Sequence, residues 1–310
     1  MVKSLLKRLR VVPLLNRPAT STLRLFISRL PSGLSEAVIR HLPRVGPVRV
    51  TTPDRKRITF VSRGDEWTPN QIFWRGLNNA EPDSLVFYEL AKTAEVTIDV
   101  GAHIGLYSLL AAAANPQGTI FAFEPFPRVF ARLALNVEAN HANNVQCLPL
   151  AAGGSEGIDR FYYIPIESLP SSAGLNPGFF ESGHELVRSM HVPVTSLDYF
   201  CRLRKVDRVD LVKMDTESTE PAVLSGMRSI LEASRPHILC EVLDSTRTAG
   251  EIESALRPYG YRYFHLTPNG PVRRDQVAGH ASWRNYLFVA RAITTADTDF
   301  SSTLRSLDLA

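Results

Sequence analysis

Val96-Thr-Ile-Asp-Val-Gly-Ala-His-Ile-Gly105 carries five strand-like residues into a helical stretch by way of two glycines. Glycine lets the backbone turn sharply and approach a ligand, and the first turn of a helix offers free N–H groups, so a nucleotide-type ligand is implied. The dinucleotide fingerprint Gly-x-Gly-x-x-Gly needs a second glycine against the pyrophosphate. His103 stands at that place, and Gly105 comes one residue early. Asp99, at the strand tip, would repel phosphate and attract a cation. A nicotinamide-dependent oxidoreductase is therefore disfavoured.

Downstream, short apolar runs alternate with helical segments: strands at 96–100, 119–123, 145–149, 209–214 and 237–242, helices at 104–114, 128–140 and 222–233. Runs that are apolar on both faces and separated by helices are what a parallel sheet covered on both sides requires. A helix near 249–256 then leads to strands at 261–266 and 286–290, joined by a turn-rich stretch without a helix, so these two must pair antiparallel. The expectation is an α/β chain of the class I methyltransferase (Rossmann-like) type, a doubly wound seven-stranded sheet with an antiparallel C-terminal hairpin. The expected division is a basic extension at 1–50, a catalytic domain at 51–295 with an insertion at 154–198, and a tail at 296–310.

Such sheets bind ligands beyond the carboxyl ends of their strands. Asp99, Gly101, His103, Gly105 and Glu124 are therefore the candidate cofactor contacts, Glu124 as the acceptor for two ribose hydroxyls. The fourth strand ends in Lys213-Met-Asp-Thr-Glu217 and the fifth in Glu241. Asp215 faces the same crevice as a further cofactor contact. Asp215, Glu217 and Glu241 together are the candidate catalytic residues, because converging carboxylates raise one another's pKa until one serves as a base near neutrality. Alternatively Glu217 and Glu220 complement a helix N-terminus capped by Ser218 or Thr219. The same acids are oxygen donors of the kind Mg²⁺ prefers, but no decisive metal signature is present and no metal is expected. S-adenosylmethionine, with its ammonium and sulfonium charges, suits this acid-lined crevice. The insertion, with Phe161-Tyr-Tyr163 and Phe179-Phe180, is expected either to cover the acceptor or to form a small hairpin core.

Asp99-Val-Gly-Ala-His-Ile-Gly-Leu-Tyr-Ser108, Phe123-Glu-Pro125, Val192-Pro-Val-Thr-Ser-Leu-Asp198 and Asp210-Leu-Val-Lys-Met-Asp-Thr-Glu-Ser-Thr-Glu220 with Val223-Leu-Ser-Gly226 resemble, in order, the FkbM-type methyltransferases. The resemblance covers roughly residues 80–290. It implies S-adenosylmethionine as cofactor and O-methylation of a sugar, polyketide or related small metabolite. Two positions depart from the family pattern: His103 where Asn is common, and Ser218 where Gly is common. The second bears on the turn after the fourth strand, and an inactive protein that still binds S-adenosylmethionine is the alternative it raises.

Composition sets the remaining bounds. With 44% hydrophobic and 21% charged residues, the chain has an ordinary globular balance and no apolar run long enough to span a bilayer. Residues 1–50 hold ten Lys and Arg against Glu36, a net of +9, so with +4 in total the rest carries 4 − 9 = −5. That leader suits an anionic membrane surface or nucleic acid, resembles a transit peptide in being Arg-rich and acid-poor, or simply packs beside the core. A small hydroxylated acceptor and no nucleic acid are the expected partners. Three cysteines without metal spacing suit a reducing, cytoplasmic setting.

Overall fold

The protein is described from a computed structural model, and the residues it describes are 12–30, 32–166, 168–170, 173–176 and 187–290. Phe179-Phe180 and the 296–310 tail lie outside these. Its strands in chain order are β1 (Val45–Thr51), β2 (Arg57–Arg63), β3 (Val96–Val100), β4 (Thr119–Phe123), β5 (Val145–Leu148), β6 (Ala151–Ala152), β7 (Gly157–Tyr163), β8 (Ala173–Gly174), β9 (Arg188–Thr195), β10 (Leu211–Met214), β11 (His237–Glu241), β12 (Arg262–Thr267), β13 (Gly270–Arg274) and β14 (Asn285–Val289). The helices are α1 (Pro13–Arg24), α2 (Ser32–His41), α3 (Trp67–Arg75), α4 (Leu77–Ala80), α5 (Ser84–Ala91), α6 (Leu106–Ala114), α7 (Pro127–Ala139), α8 (Leu197–Arg204), α9 (Glu220–Ser225), α10 (Arg228–Ala233) and α11 (Thr246–Leu256).

The main sheet runs β13-β12-β14-β11-β10-β3-β4-β5. Its five strands from β5 to β11 are parallel, and β14, β12 and β13 are antiparallel. The sheet has eight strands where seven were expected. The extra one, β13, lies in the connection read as a turn, and its exposed Arg273 and Arg274 with Pro271 are typical of an edge that resists further pairing. One core cluster joins Ile120 and Ala122 to α6, α7 and the β1–β2 hairpin; the other joins Ile98, Val100 and Phe123 to α8 to α11. Burial of every β10 residue follows from this double cover.

The helix expected over 222–233 is two helices. A Cβ at Gly226 would run into the Gly153 carbonyl oxygen, so the chain packs there backbone on backbone and the helix breaks. The segment read as a basic extension includes β1, and α1 is fastened to it. Asn16 bonds the Pro43 carbonyl and the Val45 N–H, while the buried Arg44 guanidinium bonds the Arg17 carbonyl and the Thr20 and Ser21 hydroxyls. The free edge of β2 is capped by α7, whose Asn136 and Asn140 side chains accept the N–H groups of Val61 and Thr59. The insertion folds as a small sheet, β6-β9-β7-β8, beside the main one.

Candidate functional site

Strand order reverses between β3 and β10, and at such a point the helices on either side diverge and leave a crevice beyond the strand ends. A cavity of ≈ 410 Å³ lies there. The sequence places Gly101, His103, Glu124, Asp215, Glu217 and Glu241 on its wall, and the structure brings all six together.

Asp99 and Gly105, expected as cofactor contacts, do not line it. Asp99 precedes the last residue of β3 and turns into the layer under α6, where Ser108 donates to its Oδ2 at 2.6 Å and Oδ1 has no hydrogen-bond partner among the described residues. Burial raises its pKa to about 6. Gly105 answers to packing: it sits at a φ of +92°, and a Cβ would press on the Leu133 side chain of α7. Gly101, at +75°, is needed because a Cβ would meet the Asp215 carbonyl oxygen, so β3 and β10 cross at their ends with no room for a side chain.

Glu124 organises the turn. Its Oε2 accepts the His103 N–H at 3.0 Å and its Oε1 the Phe126 N–H at 2.8 Å, which fixes the carboxylate at the tip of β4. Burial pushes its pKa up to about 7. His103 itself adopts a left-handed φ of +50° and its Nε2 lies 3.2 Å from the Pro170 carbonyl; burial lowers its pKa. It thereby ties the insertion to the turn.

At the tip of β10, Lys213 is buried with its Nζ 3.5 Å from Asp215 Oδ2 and 4.9 Å from the Tyr107 ring centre. Burial works against its charge, yet Asp215, Asp83 and Glu241 outweigh it and hold the pKa above the ordinary value. The chain then passes through Glu217 and Ser218, both left-handed, at +55° and +74°. Neither Ser218 nor Thr219 caps α9 by its side chain. Instead Glu220 reaches back, its Oε1 accepting the Thr216 N–H at 2.8 Å, so Glu220 has the structural role foreseen as the alternative. Glu241 lies 3.5 Å from Arg284, and burial with Asp215 and Glu217 raises its pKa to about 9.

Sequence reasoning missed Trp67, Glu81, Arg284 and Asn285, which complete the wall. Asn285 was open to discovery through register, since it pairs with Glu241 across β14 and β11, and directly opposed residues share a face. Of the insertion aromatics, Phe161 is buried and stacks on Phe126 at 6.2 Å, and Tyr163 packs on the same ring at 4.9 Å. They are core.

Five carboxylates, Glu81, Glu124, Asp215, Glu217 and Glu241, face this cavity against Lys213 and Arg284. Beside Glu124 the wall is apolar, with Phe126, Val129 and Leu150. A carboxylate set to accept a diol, an apolar slot beside it and acids at the neighbouring strand tip suit a nucleoside with a positively charged end. Among the described residues no group of three or more His, Cys, Asp or Glu is arranged to hold a metal ion.

The methyltransferase FkbM domain model matches residues 99–263, just over half of the chain. The 31-O-demethyl-FK506 methyltransferase FkbM of Streptomyces tacrolimicus is 28% identical over 194 residues, 55% of this chain and 74% of its own length. The hexuronic acid methyltransferase AglP of Haloferax volcanii is 28% identical over 165 residues, 51% of this chain and 61% of that protein. Among solved structures, methyltransferase FkbM from Methylobacillus flagellatus KT aligns with a TM-score of 0.43 at 14% identity, over 73% of this chain and 55% of that chain. The strand order, the acid-lined crevice and the family match agree: this chain belongs to the FkbM methyltransferase family and is an S-adenosylmethionine-dependent methyltransferase.

Proposed function

We propose that the protein methylates a hydroxyl oxygen of a small metabolite of the sugar or polyketide kind. The observation that carries this reading is the convergence of Asp215, Glu217 and Glu241 at the edge of the cofactor cavity, with Glu241 raised to about 9. S-adenosylmethionine, when bound, supplies a methyl group on a positively charged sulfur. Glu124 would hold the ribose hydroxyls, the apolar wall at Phe126 would hold the base, and Asp215 would attract the charged end. An aliphatic hydroxyl is a poor nucleophile until its proton leaves, and Glu241, ionised once the positive charge of the cofactor lowers its pKa, takes that proton as the new bond forms. Lys213 pairs with Asp215 at 3.5 Å and keeps its side chain in place. The relatives named for a polyketide and for a hexuronic acid support the acceptor class.

Mass spectrometry of hydroxylated acceptors incubated with S-adenosylmethionine tests the reading. A product heavier by one methylene, lost in Glu241→Gln, is expected. A protein that binds S-adenosylhomocysteine by calorimetry and methylates none of them fits the inactive alternative instead. Calorimetric binding of NAD in its place would restore the oxidoreductase reading.

The acid wall argues against a nucleic-acid acceptor. For the leader we favour contact with an anionic membrane surface. Among the described residues no helix is long and apolar enough to cross a membrane, but Leu14 and Leu25 are 86% and 73% exposed, with Phe26 also exposed, close in sequence to Arg17, Arg24 and Arg29. Exposed apolar side chains among arginines match the headgroup region of an anionic bilayer. Three free cysteines support a cytoplasmic location.

A further inference from the structure

A second cavity of ≈ 270 Å³ opens between residues 79–86 and the entry to β14, with the β12–β13 turn on its far side. Glu81, Arg284 and Asn285 line both cavities, so the two meet along that seam. We propose that this second cavity holds the methyl acceptor and is built for an uncharged, hydroxyl-bearing ring compound, whose reactive hydroxyl reaches the cofactor cavity between Glu81 and Asn285. The proposal rests on the O-methylation reading above and deepens it.

The chemistry of the seam selects the acceptor. The Asn285 side-chain oxygen is buried without a hydrogen-bond partner among the described residues. An orphaned acceptor is costly and is relieved only by a donor. Glu81 is its counterpart: burial, then Asp83, push its carboxyl up to about 8, so at neutral pH it carries a proton and seeks an acceptor. A hydroxyl both donates and accepts and satisfies the two sides at once. A carboxylate or phosphate offers only acceptors, leaves the Asn285 oxygen unmatched and would have to be desolvated to enter. Arg284 does not offset this, because its side chain is 47% exposed and its charge is screened by solvent. An ammonium offers only donors and leaves the Glu81 proton unmatched. Deeper in, Leu85, Val86 and Leu266 give apolar surface, and at the rim the exposed Trp283 adds an aromatic face on which a saturated ring can lie.

The test uses the full chain loaded with S-adenosylhomocysteine and two matched probes, methyl α-glucopyranoside and its uronate, methyl glucuronide, read by saturation-transfer NMR. The glucoside signal is expected, and the uronate signal should be weaker by about tenfold. Ser282→Trp, which adds bulk at the exposed rim of the second cavity, and Asn285→Ala, which removes the orphaned oxygen, should each cut the glucoside signal by about tenfold. Calorimetry of the same samples should show S-adenosylhomocysteine affinity unchanged in Ser282→Trp, which certifies that the variant is folded. Equal signals from the two probes overturn the acceptor class, and a glucoside signal indifferent to both variants overturns the location. No signal from either probe overturns the proposal outright, while cofactor-product binding in the same tube leaves the methyltransferase assignment standing. Failure of the O-methylation reading shows separately, as absence of a methylated product in the mass-spectrometric screen.

Discussion

Glu124 joins two jobs in one side chain, holding the His103 and Phe126 N–H groups and presenting its remaining lone pairs to the cavity. Glu124→Ala removes both, and the expected result is a loss of S-adenosylhomocysteine affinity of roughly 10- to 100-fold by calorimetry, from ~1–3 kcal/mol for a lost charged hydrogen-bond partner. Glu241 is tested by pH. A base must be ionised to act, so kcat/KM should climb with pH through the Glu241 ionisation, which lies near 9 before the cationic cofactor pulls it down. Glu241→Gln should flatten that climb and lower kcat about 10²- to 10⁴-fold, the usual span for a lost general base. The residues that answer to local rules were legible in the sequence: a glycine turn at a strand end, an acid before a proline, acids closing a buried strand. Asp99 was placed one step too far forward, because alternation along β3 sends it under α6 rather than into the crevice. Glu81 and Arg284 were not legible at all, since no spacing rule says how far a preceding segment folds over a sheet edge.

At the scale of elements, the turn between β10 and α9 keeps two side-chain-bearing residues, Glu217 and Ser218, in the left-handed region. That conformation costs an L-residue roughly 1 kcal/mol relative to glycine. Ser218→Gly should raise the denaturation midpoint by about that free energy and leave product formation intact; a large gain in turnover would show instead that the serine restrains the catalytic acids. The departure from the family pattern was visible in the sequence, and its cost became assignable only with the backbone angle. The leader makes a separate prediction. The chain should co-sediment with phosphatidylglycerol vesicles and not with phosphatidylcholine, and Leu14→Ser with Leu25→Ser should weaken the binding by roughly 30-fold or more, each substitution removing about 1–2 kcal/mol of apolar burial. Binding equal on both lipids would remove the electrostatic part of the argument.

For the molecule as a whole, Asp99, Glu124, Glu81 and Glu241 have carboxyls raised to about 6, 7, 8 and 9. Each binds its proton more tightly folded than unfolded, so the native state holds more protons between the ordinary carboxyl range and pH 9. Their contribution to stability is fully present below the unfolded pKa and is lost as pH rises through the folded values. The melting temperature of the ligand-free protein should therefore fall from pH 6 to pH 9, and binding of a cationic ligand should release protons and reduce that fall. A melting temperature flat over this window would show that the acids are not buried together. The parallel core and its closing hairpin were readable at this scale because buried strands and covering helices leave a periodic trace. The eighth strand left none, being short, half exposed and basic.

The union of α1 with the β1–β2 hairpin makes these early residues part of the folded body. Val48 and Val50 are in the core, and Asn16 and Arg44 hold the first helix against them. A truncation at residue 50 would remove most of a strand from that body, and the shortened chain should lose its cooperative melt.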